Sequence, residues 1–163
     1  MLSFLKQCLS AFCIGIALIL ASTIANAQAI QPGPDGLVKV RSAYSVEETV
    51  ARIKKDIADK GILFFQAVDQ AQLAADAGIA LRPSTLLTFG NPPLGAQFLT
   101  SNPYSGLDWP VRLLVLQDDS GTVWAAYTDF AWIAQRHRIV DREQQFAKAS
   151  SVVESITSTI RSR

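Results

Sequence analysis

From Leu37 onward the chain switches between two hydrophobic periods, and each switch marks an element. Leu37 to Tyr44, LVKVRSAY, alternates apolar and polar in part and predicts a strand. Ser45 follows, with Glu48 three residues on, which is a capping box. Val46, Val50, Ile53 and Ile57 then recur on one helical face until Gly61 stops the helix, while Lys54, Lys55 and Asp59 face water. Ile62 to Val68 predicts a second strand. Ala71 to Ala77 has high helix propensity and predicts a short helix ending at Gly78. Ser84 to Phe89 predicts a third strand.

Gly90 to Pro110 is long for a connection, and ordered connections of that length often carry function. Leu94 to Thr100 within it has room for one or two helical turns, halted before Pro103. Val111 to Gln117 and Thr122 to Thr128 predict two strands joined by the turn Asp118-Asp119-Ser120-Gly121, a hairpin. Asp129 caps a short helix over Phe130 to Gln135. Asp141 caps the last helix, where Phe146, Ala149, Val153, Ile156 and Ile160 keep helical spacing. The order strand, helix, four strands, helix predicts an α+β fold. It is a two-layer sandwich, with a mostly antiparallel five-stranded sheet and helices on one face.

The strands carry too many apolar residues for a sheet with one wet face, in which apolar and polar should alternate. In LRPSTLLTFGNP, Leu87 and Phe89 point one way and Leu86 the other. Leu113 and Val115 oppose Leu114 and Leu116; Ala125 and Tyr127 oppose Trp124 and Ala126. Leu63, Phe65 and Ala67 oppose Phe64 and Val68. Each large side chain left wet rather than buried costs about 1.5–3 kcal/mol. Three covers are open: the long connection carrying Phe98, Tyr104, Leu107 and Trp109; a second copy of the chain in a homodimer; or an apolar ligand between sheet and loop.

The ends and totals narrow the setting. Lys6, the apolar run Ala11 to Ile24 and Ala25-Asn26-Ala27 read as a signal peptide, residues 1–27, cleaved before Gln28. The run is shorter than the ~20 residues of a spanning helix. Export to the periplasm or beyond is expected, with no membrane span after cleavage. Residues 28–36, QAIQPGPDG, read as a flexible linker, and 37–163 as a single domain. Both cysteines, Cys8 and Cys13, lie in the signal, so the mature chain has no disulfide, thiolate metal site or Cys nucleophile. Losing Lys6 leaves 14 basic residues against 14 acidic ones. Without a basic stripe, nucleic acid is not an expected partner.

The segments AVDQAQLAADAG, LRPSTLLTFGNPPLGAQFL and SNPYSGLDWPVRLLVLQDDSGTVWAAYTD resemble the signature of the domain-of-unknown-function family 302. Arg82-Pro83, Phe89-Gly90-Asn91-Pro92, Asn102-Pro103 and Asp108-x-Pro110 carry the resemblance in combination, over about Val38 to Ile160. It implies a β-α-β4-α fold of the TBP-like or helix-grip kind and no activity. Many members carry Asp-His where this chain has Asp69-Gln70, so no role for that histidine carries over.

Candidate chemistry is sparse. His137, the sole histidine, lies between Arg136 and Arg138 and is expected as an exposed helix-end residue. Without a second His or Cys it makes a poor metal site, and neither metal nor cofactor is expected. Arg82 has the geometry to clamp a carboxylate or phosphate, or to pair with Asp69 or Asp108 and fix the loop. Asn91 and Asn102, each before a proline, satisfy loop backbone or bind a ligand amide. No nucleophile elbow, phosphate loop or HExxH occurs, so no catalytic residue is assigned.

The leading expectation is a non-catalytic binding protein. It takes a small apolar or amphipathic ligand, or a protein partner, under the 90–110 loop. Arg82, Asn91, Asn102 and Asp108 would form the rim, with Phe89, Trp109 and Tyr127 as the wall. A small hydrolase using Asp69 or Asp108 with Arg82 is the alternative.

Overall fold

A computed structural model of the chain describes residues 31–161. The expected signal peptide lies outside the described residues. The elements are β1 (Leu37–Arg41), α1 (Val46–Asp59), β2 (Leu63–Asp69), α2 (Gln70–Asp76), β3 (Ser84–Gly90), α3 (Pro92–Ser101), a 3-10 turn (Pro103–Leu107), β4 (Val111–Gln117), β5 (Val123–Thr128), α4 (Phe130–Arg136) and α5 (Glu143–Ser158). The class is the α+β one that the hydrophobic pattern predicts.

The five strands form one sheet in the order β1-β5-β4-β3-β2, and every neighbouring pair is antiparallel. Strands β2 to β5 lie side by side in chain order, although only β4 and β5 are joined by a short turn. β1 and β2 instead occupy opposite edges, and α1 carries the chain between them. A 14-residue helix spans about 21 Å. Four inter-strand steps span about 19 Å. The helix is thus long enough to cross the whole sheet. Ser45 accepts from the Glu48 backbone N–H at 3.2 Å and Gly61 takes φ +63° just past the helix. The capping box is only half made, because the Glu48 carboxylate turns to Arg52 at 2.8 Å.

The register sorts the strand residues. Ala67, Leu87, Leu113, Tyr127 and Val38 align across one face, and Thr85, Val115, Ala125 and Val40 form the next row. Ile53 and Ile57 of α1, Phe98 of α3, Phe130 and Ile133 of α4, and Phe146, Val153 and Ile156 of α5 pack against these rows in one core. Phe64 pairs with Phe89 and Gln66 with Thr88, leaving a bulge at Phe65. The bulge breaks strict alternation in β2. Phe64 and Ala67 therefore share the helix-covered face, contrary to the alternation expected there.

On the opposite face Val68, Leu86, Leu114 and Ala126 form one row, and Leu116 lies beside Trp124. These residues are half-buried, shielding one another. Lys39, Arg41, Gln66 and Arg112 occupy the margins of the same face and are exposed.

The long connection does not cover that face. Phe98 turns to the helical side and stacks on Phe146 with ring centroids 4.3 Å apart. Tyr104 and Leu107 are exposed. Trp109 lies over Gly90 and Gly95, where a Cβ at either would collide with its indole. In residues 31–36, the described part of the expected linker, Gly36 is docked while most of the rest is exposed. The carbonyl of Gly36 accepts from the Asp129 N–H at 2.8 Å, and Trp132 fills the space a Cβ at Gly36 would need.

Candidate ligand cleft

The two asparagines of the long connection are local caps. Asn91 Oδ1 accepts from the Leu94 N–H at 3.0 Å and starts α3, with Pro92 and Pro93 in its first turn. Asn102 Oδ1 accepts from the Tyr104 N–H at 2.9 Å, and its Nδ2 donates to the His137 carbonyl at 2.8 Å. The connection is thereby fastened to the end of α4.

Asp108 is the second fastening. It is buried, and its carboxylate accepts from Arg112 at 2.8 Å, from His137 Nε2 at 2.6 Å and from Arg136 at 3.3 Å. Because an ionised carboxylate only accepts, His137 carries a proton on Nε2. His137 is 7% exposed, which corrects its expected place at an exposed helix end. The physical reason lies in how α4 stops. Arg138 takes φ 52°, and the Ile139 N–H returns to the Ala134 carbonyl at 2.9 Å. That closure turns His137 inward onto Asp108. Ser105, on the adjoining turn, is buried, and its Oγ has no hydrogen-bond partner among the described residues.

The expected rim and wall separate into three places. Arg82 pairs with Asp119, neither with Asp69 nor with Asp108, and lines a hollow with Asp118 at the far end of β3. Asp69 caps α2 by accepting from the Gln72 N–H at 2.9 Å. The hydrolase alternative rests on Arg82 with Asp69 or Asp108, and Arg82 is paired with Asp119 instead. Gln70 accepts from Ser84 Oγ at 2.8 Å. Tyr127 is in the core, where burial pushes its phenol up to about 12. Asn102 and Asp108 hold the loop.

Phe89, Asn91 and Trp109 do come together. They line a cleft of about 460 Å³ between α5, the α1–β2 turn and the start of α3. Phe89 and Val111 form its floor, Leu94 and Trp109 close one end, and Val152 and Val153 of α5 supply the facing wall. Lys60 and Lys148 stand among the lining residues, and no Asp or Glu does. The α5 contribution escapes sequence reading because the helical period places Ala149 and Val153 toward the core without showing a gap. The size falls in the range of small-molecule sites, about 300–1,000 Å³.

The family model for the domain of unknown function DUF302 matches residues 38–161. The chain belongs to the DUF302 family. A crystal structure of an uncharacterised conserved DUF302 protein from Bacillus stearothermophilus superposes with a TM-score of 0.70 at 17% identity, covering 77% of this chain and 98% of that one. That likeness shows the shared fold. The chain is also similar to part of longer proteins. Fluoride-specific ion channel FluC 1 of Brucella suis biovar 1 (strain 1330) is 41% identical over 104 residues, 64% of this chain and 41% of that protein. FluC 1 of Brucella abortus biovar 1 (strain 9-941) is 41% identical over the same length, 38% of that protein. The chain spans about two-fifths of these relatives. Among the described residues of this DUF302 chain no helix is long and apolar enough to cross a membrane.

Proposed function

We propose that this DUF302 protein is a binding module that holds a small apolar or amphipathic molecule in the cleft under Trp109. The observation that carries the reading is a mostly apolar cleft on the helical side, beside the buried core. Apolar space of this size gains stability when a ligand with matching surface fills it, by about 25 cal/mol per Å² removed from water. Phe89 and Val111 are the floor, Trp109 the end wall and Val152 the half-buried side. Export, as expected from residues 1–27, would place the binding outside the cytoplasm. Ion conduction, named for the longer Brucella relatives, forms no part of the proposal.

Titration with N-phenyl-1-naphthylamine, a neutral fluorophore that brightens in apolar surroundings, tests it. Saturable one-site binding is expected, and Val152→Trp, which fills the cleft from its half-buried side, should weaken it about tenfold, or 1.4 kcal/mol. Binding that never saturates, or that ignores Val152→Trp, would refute the cleft.

A second reading is favoured by the opposite face, where Leu86, Leu114, Leu116 and Trp124 remain half-exposed. A second copy docking there would bury them. Sedimentation of the protein at tens of micromolar decides between dimer and monomer, and a monomer removes this reading.

A further inference from the structure

The cleft has a charge asymmetry that its apolar lining does not need. Two lysines line it and no carboxylate does. Lys60 already has an internal partner, Asp56, with Nζ 2.6 Å from Oδ2. Lys148 forms no ion pair or hydrogen bond among the described residues. It stands one turn before Val152 on α5, so its four-carbon stem can follow the apolar wall while its ammonium stays at the mouth. Asn91 lines the same cleft. Its Oδ1 is used in capping α3, which leaves the amide N–H groups as donors. The cleft therefore offers donors and positive charge to a head group, and offers it no acid.

We propose that the cleft selects amphiphiles with one anionic head, a carboxylate being the simplest, and that Lys148 is the residue that pairs with it. The inference rests on the binding reading above and adds the sign of the ligand's charge. An apolar tail would lie over Phe89 and Val111, with the head turned outward to Lys148 and Asn91. A cationic head would meet Lys148 with the wrong sign, and a neutral one would leave the lysine in water. Lys60 would contribute less, since Asp56 answers its charge.

The test is competition at pH 8 against N-phenyl-1-naphthylamine by three twelve-carbon chains: dodecanoate, dodecanol and dodecyltrimethylammonium. Dodecanoate should compete about tenfold better than dodecanol, the factor expected of one charge-assisted contact at a part-exposed site, and the cation should compete worst. Lys148→Met should bring dodecanoate down to the level of dodecanol, and Lys148→Arg should keep the preference. Equal competition by all three, or a preference that survives Lys148→Met, overturns the anionic head while leaving the cleft intact. Failure of the naphthylamine to bind at all removes the cleft itself, and with it both readings.

Discussion

Asp108 accepts hydrogen bonds from side chains of two elements, Arg112 in β4 and Arg136 and His137 at the end of α4. Its carboxylate is almost wholly buried, whereas the two guanidinium groups are about half exposed. The pair with His137 is thus the one that depends on burial, and the arginine pairs are screened by water. Asp108→Ala strands a buried imidazole and should lower stability by about 3 kcal/mol in urea unfolding. Arg112→Ala should cost less than about 1 kcal/mol. Sequence alone gave no sign of this link. His137 and Asp108 are 29 residues apart, and their meeting depends on the left-handed turn at Arg138, a residue type that does not announce such a turn. The caps at Ser45 and Asp129 were legible because each acts on a backbone N–H three residues ahead, whereas Asp69, which caps α2 in the same way, was read as a partner for Arg82. Asp141 misleads for a related reason. It looks like a cap for α5, but Ser101 Oγ donates to it at 2.6 Å from α3 and holds its carboxyl below the usual range.

At the scale of elements, periodicity located β3, β4, β5, α2 and α4 to within a residue or two, since each is bounded by Pro, Gly or Asp. The bulge in β2 and the direction taken by the long connection were not legible. Both depend on partners distant in sequence. The β4–β5 hairpin supplies a prediction of its own. Asp118 accepts from Ser120 Oγ at 2.6 Å and from Trp124 Nε1 at 2.8 Å, and these bonds lower its carboxyl to about 2. A carboxylate with a lowered folded value contributes stability above its unfolded value, near 3.8, and loses it as pH falls through about 2. Urea midpoints measured from pH 5 down to pH 2 should drop across that window. Asp118→Asn should flatten that part of the profile; a wild-type profile already flat there would contradict the assignment.

For the whole molecule, the arithmetic of α1 explains the edge positions of β1 and β2, and the fold agrees with the DUF302 relative of known structure. Sequence correctly indicated excess apolar surface on the strands, and of the three covers it left open the long connection does not lie on the far face. The long connection fastens to α4 and α5, leaving the far face half-exposed and opening a cleft on the helical side. The candidate wall was legible in Phe89 and Trp109, which are large and apolar at a strand end and a loop end. The share of Lys148 and Val152 was not, because helix α5 needs neighbours before a gap can exist. Methyl NMR of the purified protein during titration with dodecanol separates the two surfaces directly. Saturable shifts at Leu94, Val111, Val152 and Val153, with Leu86, Leu114 and Leu116 unmoved, are the predicted result. Shifts confined to the Leu86, Leu114 and Leu116 face, or no saturable shift at all, would contradict it.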